Sequence, residues 1–254
     1  GMSSDDPVPA LPIAFLEPRP GRRLACRRRE GRGPTLIFLP GYMSDMEGSK
    51  ATALDSWAAR EDRAMLRFDY GGCGASSGDF EAQSLADWRD DAVAAIDSVG
   101  GPVLLVGSSM GGWVMLVAAL ARPEWVVGLV GIAAAPDFTD WGFSDAEKQT
   151  LREAGRIAEP SPYGDQPYVT TRFFWESGEA LRLLDAPIAI DCPVRLLHGQ
   201  ADEDVPWRIS LTLAERLRSD DVQVVLVKQG DHRLSRDEDI SLLVATVAAL
   251  LERP

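Results

Sequence analysis

From Arg63 onward the chain alternates short, continuous apolar runs with amphipathic stretches, and this alternation limits the possible folds more than any other feature. Arg63 to Phe68, Val103 to Val106, Val126 to Ile132, Val194 to Leu197 and Gln223 to Val227 read as strands. Leu85 to Val99, Met110 to Ala121, Pro206 to Leu217 and Glu238 to Leu251 read as helices. Strands that are apolar on both sides need cover on both faces. The pattern therefore predicts an α/β fold with about eight mostly parallel strands flanked by helices. With 254 residues and 45% hydrophobic side chains the chain can bury one such core, and residues 1–254 read as a single domain.

Ahead of Arg63, Leu11 to Leu16 and Leu24 to Arg28 are expected to form a hairpin across Arg19-Pro20-Gly21. Thr35 to Leu39 reads as a third strand ending at Pro40-Gly41, and Gly48 to Ala59 as a helix. Seven arginines lie between Arg19 and Arg32. They read as a solvated edge hairpin, where charge blunts edge-to-edge pairing, with an anionic partner as the alternative. The rhythm breaks from about Pro136 to Pro187, a stretch of prolines and aromatics with a capping box from Ser144 to Glu147. It is too short for its own core and directly follows a strand's C-terminal end, so a short lid insertion is expected there.

Composition removes several classes of function. Lys and Arg number 26 against 39 Asp and Glu, and a net charge of −13 repels phosphate backbones, which argues against nucleic-acid binding. No apolar run approaches the ~20 residues of a membrane helix, and the acidic start lacks a secretory pattern. Gly1 ahead of Met2 reads as a remnant of expression. Cys26, Cys73 and Cys192 are odd in number and scattered, which fits a reducing compartment, and a cytoplasmic location is expected. With only His198 and His232 available, a zinc site is not expected. Gly72-x-Gly74-x-x-x-Gly78 has its third glycine one residue late for a dinucleotide fingerprint, so no cofactor is expected.

Gly107-Ser108-Ser109-Met110-Gly111 follows an apolar strand and opens an apolar helix. A nucleophile on such an elbow needs small flanking residues, because its backbone is strained and neighbouring chain passes close. Ser109 would then stand at a helix N-terminus, whose dipole favours a developing oxyanion, while Ser108 turns away. A serine needs a base. His198 ends a strand and is expected to orient the loop that follows, which leaves His232, in Gly230-Asp231-His232, for the role. Asp202 and Asp204 both qualify by position as its carboxylate partner, Asp204 lying nearer the helix expected from Pro206. The oxyanion would be met by backbone N–H groups of Met110 and of Tyr42, in Pro40-Gly41-Tyr42. Trp113, Trp141, Phe143, Phe174 and Trp207 are candidate substrate contacts, with core packing as the plain alternative for each.

Gly107 to Gly111, His198 to Pro206, Gly230 to His232 and the turn Phe68-Asp69-Tyr70-Gly71-Gly72-Cys73-Gly74 together resemble the α/β-hydrolase superfamily. Gly41 to Lys50, Gly107 to Trp113, Asp204 to Trp207 and Gly230 to Ser235 more narrowly resemble the abhydrolase-domain group that includes the mitochondrial palmitoyl-protein thioesterase and acyl-glucuronide esterase. The resemblance implies the chain order Ser, Asp, His, and its loop spacing favours Asp202 over Asp204 as the acid. It further implies hydrolysis of carboxylic esters or acyl thioesters through an acyl-enzyme, without cofactor or metal. The substrate would be a small-molecule ester or an acylated molecule, with the acyl group in an apolar pocket under the lid. An acyltransferase and a non-catalytic small-molecule receptor or scaffold are the alternatives. Cys73 stands where many relatives carry His, so no catalytic role is assigned to it. The lack of a transit segment ahead of the domain is read as a bacterial-type, stand-alone version.

Overall fold

The computed structural model describes residues 8–253, so the reading of Gly1 and Met2 lies outside the described residues. The chain opens with β1 (Ala14–Arg19), β2 (Arg22–Arg29), β3 (Arg32–Leu39), α1 (Ser49–Arg60) and β4 (Arg63–Phe68). It continues with α2 (Leu85–Val99), β5 (Val103–Ser108), α3 (Met110–Ala121) and β6 (Val126–Ile132). The segment that breaks the rhythm contains α4 (Phe138–Trp141), α5 (Asp145–Ala154), β7 (Arg156–Glu159), β8 (Tyr168–Thr171) and α6 (Arg172–Ala180). The alternation then resumes with β9 (Val194–Gly199), α7 (Arg208–Arg216), β10 (Val222–Val227) and α8 (Asp237–Leu251).

Eight strands form one sheet in the order β1-β2-β4-β3-β5-β6-β9-β10, antiparallel where β2 meets β1 and β4 and parallel elsewhere. The expected α/β fold is present. Side-chain alternation along the central strands feeds two separate cores. Ile37 and Leu39 of β3 and Val103 and Leu105 of β5 face α2 and α3, while Leu36, Phe38, Leu104 and Val106 face α1 and α8. Full burial of each such side chain contributes roughly 1.5–3 kcal/mol, so a slip of one residue in register would exchange the two faces at prohibitive cost. α3 is buried from Met110 through Ala119, which is why its sequence is apolar all round.

Strand order reverses between β3 and β5. From β3 the chain crosses to β4 on one side and then returns to β5 on the other, so the loops leaving β3 and β5 diverge and leave a crevice at the C-terminal edge. Strain collects along that edge. Met43, Ser109, Ala133, Asp137 and Leu234, all in loops beyond the C-terminal ends of strands, have φ between 47° and 62°.

The arginines of the first hairpin divide between solvated and paired positions. β2 lies inside the sheet, and acidic residues from α1, from α2 and from the loop ahead of α1 reach three of its arginines. Arg22 makes a two-pronged pair with Asp91 at 2.7 Å, Arg29 meets Asp55 at 2.6 Å and Arg27 meets Glu47 at 2.6 Å. These three are half-buried and neutralised in place, whereas Arg19, Arg23, Arg28 and Arg32 are exposed, as the solvated reading expects.

Candidate active site

The elbow is built by steric exclusion. A Cβ on Gly107 would strike the backbone of Gly111, and one on Gly111 would strike Leu39 of the neighbouring strand, so both positions require glycine. Ser109 sits between them at φ 56°, ψ −119°. Its N–H donates to Ile132 O at 2.9 Å and its carbonyl accepts from Ala135 N–H at 3.0 Å, and these bonds hold the strained residue in place. Gly41, in the loop after β3, lies 3.5 Å from the Ser109 Cβ, measured from the position its own Cβ would take. Met110 opens α3, where the first N–H groups have no acceptor within the helix. Tyr42 follows Gly41 directly, so the two expected oxyanion donors belong to chain segments in contact.

The Asp202 side chain is fully buried and receives bonds from four directions. His232 Nδ1 lies 2.9 Å from Oδ2, and His198 Nε2 lies 3.2 Å from the same oxygen. Asp204 and Val205 N–H groups donate to Oδ1 at 2.8 and 2.9 Å. Burial alone would raise this carboxyl, but the bonds from His198, His232 and Val205 outweigh it and hold Asp202 well below the usual carboxylate range. The ring of His232 is thereby oriented through Nδ1, which leaves Nε2 as its other face.

His198 is fully buried. Its Nε2 also meets Val205 O at 2.9 Å and its Nδ1 meets the Ser210 hydroxyl at 2.7 Å. It supports both the carboxylate and the loop after β9. Asp204 turns elsewhere and accepts from the Tyr163 hydroxyl at 2.5 Å. The helix that Asp204 was expected to adjoin begins at Arg208, two residues later than expected. Asp202, Asp204 and His232 offer ligand atoms within 4.8 Å of one another, but hydrogen-bond donors already occupy both carboxylates.

The aromatic candidates divide. Trp113 is fully buried and donates to Leu181 O at 3.2 Å, and Phe174 is 2% exposed, so both are core residues rather than open contacts. Trp141, Phe143 and Trp207 are half-buried. Trp141 donates to Pro136 O, and Trp207 lies under the Arg208 guanidinium at 4.4 Å. An aromatic cluster surrounds the Tyr42 ring. The Tyr42 ring lies 5.1 Å from Phe174, 5.3 Å from Phe80 and 5.9 Å from both Trp88 and Tyr168, and its hydroxyl donates to Val169 O. Large rings from the β3 loop, from Phe80 and Trp88 and from the 136–187 segment thus pack against one another. Sequence reasoning placed only the Tyr42 backbone, since no local pattern reveals a ring whose partners lie 38 to 132 residues away.

Residues 36–246 match the model of the alpha/beta hydrolase family. The chain belongs to that family. It is 42% identical over 246 residues to the mouse protein named palmitoyl-protein thioesterase ABHD10, mitochondrial, covering 95% of this chain and 83% of that protein. The human protein of the same name is 41% identical, with 95% and 80% covered. Among solved structures, mouse alpha/beta hydrolase domain-containing protein 10 superposes with a TM-score of 0.87 at 41% identity, covering 94% of this chain and 98% of that one. A putative hydrolase from Agrobacterium vitis S4 gives 0.88 at 38% identity, with 96% and 99% covered.

The relatives correct one expectation. Their names place them in mitochondria, so the cytoplasmic assignment does not stand. Scattered unpaired cysteines point to reducing surroundings and cannot separate two reducing compartments. No helix among the described residues is long and apolar enough to cross a membrane.

Proposed function

We propose that this family member is a serine hydrolase that cleaves carboxylic esters or acyl thioesters through Ser109, His232 and Asp202. The observation that carries the reading is the 2.9 Å bond from His232 Nδ1 to the buried, ionised Asp202, on loops at the same C-terminal edge of the sheet as the strained Ser109 elbow. Ser109 Oγ attacks the acyl carbonyl as His232 Nε2 takes the hydroxyl proton. The C–O or C–S bond to the leaving group breaks as His232 returns that proton, leaving an acyl-Ser109 ester. Water, deprotonated by the same imidazole, then releases the acid. Asp202 stabilises the imidazolium in both half-reactions, and the N–H groups of Tyr42 and Met110 receive the oxyanion. The relatives are named for thioester cleavage, which supports acyl thioesters as one substrate class.

In the same reading residues 1–254 act as one unit, and the 136–187 segment covers the crevice as a lid. Its half-buried Trp141 and Phe143, with Trp207 across the site, are the proposed apolar contacts for the acyl group. A fluorophosphonate probe and a panel of acyl thioesters and esters of increasing chain length test the proposal. Covalent labelling at Ser109, with multiple turnovers on at least one ester or thioester, is the expected result. Stoichiometric binding without turnover, or transfer of the acyl group to an added alcohol in preference to water, would replace hydrolysis by one of its two alternatives.

A further inference from the structure

The mechanism above leaves one half-buried amine unused. Lys50 occupies the first turn of α1, where the helix macrodipole disfavours a cation. Its side chain leaves the helix and crosses to the loop that carries His232, where Nζ donates to Arg233 O at 2.6 Å and lies 3.4 Å from the Ser235 hydroxyl. Ser49 Oγ meets the same Ser235 hydroxyl at 3.2 Å. Lys50 also lines a cavity of about 50 Å³ with Gly41, Asp45 and Ser108, beside the elbow. Two loops that must stay in register for proton transfer are therefore tied by one ammonium. On one side is the β3 loop, with Tyr42 and the Gly41 contact to Ser109. On the other is the segment from Asp231 to Ser235, whose Leu234 is held at φ 47°.

Resting on the hydrolase reading, we propose that Lys50 is a positioning residue, whose ammonium docks on the Arg233 carbonyl and holds the His232 loop against the β3 loop of Tyr42, which contacts Ser109. The charges facing it are Arg233 and Asp231 on that loop and Asp239 at the start of α8, with Asp45 across the small cavity. Burial, then Arg233, lower its pKa to about 8, and Asp231 and Asp239 only partly oppose them. The clamp is at full strength at neutral pH. It weakens as the pH rises through that value, because an amine is a poorer donor than an ammonium.

Hydrolysis of p-nitrophenyl butyrate by wild type, Lys50→Met, Lys50→Arg and Ser109→Ala, from pH 6 to 10, tests this. Lys50→Met should lower kcat at pH 7 by about 10- to 100-fold with KM within about twofold, since misplacement affects the chemical step more than binding. The wild-type kcat should decline above about pH 8, the decline should be lost in Lys50→Met, and Lys50→Arg should move it upward. A purely structural role would change the melting temperature but not the shape of the profile. Wild-type kcat in a folded Lys50→Met, or an unchanged alkaline decline in Lys50→Arg, overturns the proposal. The arginine variant decides the matter if the methionine variant does not fold. Ser109→Ala separates the two levels: activity surviving there removes the hydrolase reading, whereas its loss beside an unaffected Lys50→Met removes only the role of Lys50.

Discussion

Asp202 and Asp137 are both buried carboxylates at the C-terminal edge of the sheet, one beyond β9 and the other beyond the neighbouring β6. Burial pushes both upward, yet they end on opposite sides of the ordinary carboxylate value. Asp202 finishes well below it, because two imidazoles and the backbone bond the ionised form. Asp137 finishes above it, because the Leu184 and Leu183 N–H groups, at 2.9 and 2.8 Å, do not overcome desolvation. The number and kind of donors, not the depth of burial, sets the direction of the shift. In the site the donors keep a negative charge beside His232. At the base of the 136–187 segment a similar side chain stitches the start of the segment to its end, and its charge is a cost.

If the site half is organised for chemistry rather than stability, Ser109→Ala should reduce ester cleavage by on the order of 10⁴-fold or more while the melting temperature stays close to wild type. Fluorophosphonate labelling that persists in this variant would break the assignment.

Asp202→Asn should lower kcat by about 10³- to 10⁴-fold through loss of imidazolium stabilisation and tautomer control. Asp204→Asn, which touches Tyr163 rather than His232, should cost less than about tenfold. Steady-state kinetics that reverse this order would return the acid's role to Asp204.

The 136–187 segment depends on packing, so its sensitive positions should show in stability. Phe174→Ala empties the centre of the aromatic cluster and should cost about 3–5 kcal/mol in denaturant unfolding. Its neighbour Phe173 is 55% exposed, and Phe173→Ala should stay within about 0.5 kcal/mol. Equal effects at the two positions would show that the cluster is not what holds the segment down.

The same division explains what was legible in the sequence. Leu85–Val99, Met110–Ala121 and Val126–Ile132 were bounded to the residue, because caps, glycines and continuous apolar runs act locally. The β7 and β8 hairpin was missed. Arg156–Glu159 is almost wholly exposed and has no alternation, so nothing distinguishes it from a loop until its partner strand is placed. The elbow was readable because its glycines flank the serine at fixed spacing between an apolar strand and an apolar helix. The bond between Asp202 and His232 spans 30 residues and was legible only through the family resemblance, whereas the pair of Arg22 with Asp91, spanning 69, is revealed only by the assembled sheet. Trp113 and Phe174 were ambiguous because a buried core ring and a pocket ring follow the same helical spacing.

The two carboxylates should also respond oppositely to acid, and this small effect tests the comparison itself. An ordinary unfolded Asp titrates near ~3.9. Asp137, raised in the folded state, takes up its proton there first, so acidification from neutral pH through its folded value favours the native state until the unfolded value is reached. Asp202, lowered in the folded state, contributes stability that is fully present above ~3.9 and is lost only as the pH falls from there toward its folded value. Melting temperatures of wild type, Asp137→Asn and Asp202→Asn measured from pH 7 to about 4 should therefore diverge in sign. Wild type should gain on Asp137→Asn as the pH drops, because it sheds a buried charge that the amide never carried. Against Asp202→Asn its advantage should hold level and begin to shrink only near the bottom of the range. An advantage over Asp137→Asn that shrinks on acidification would mean that the two backbone donors stabilise the ionised form after all. The base of the segment would then be held by charge in the same way as the site.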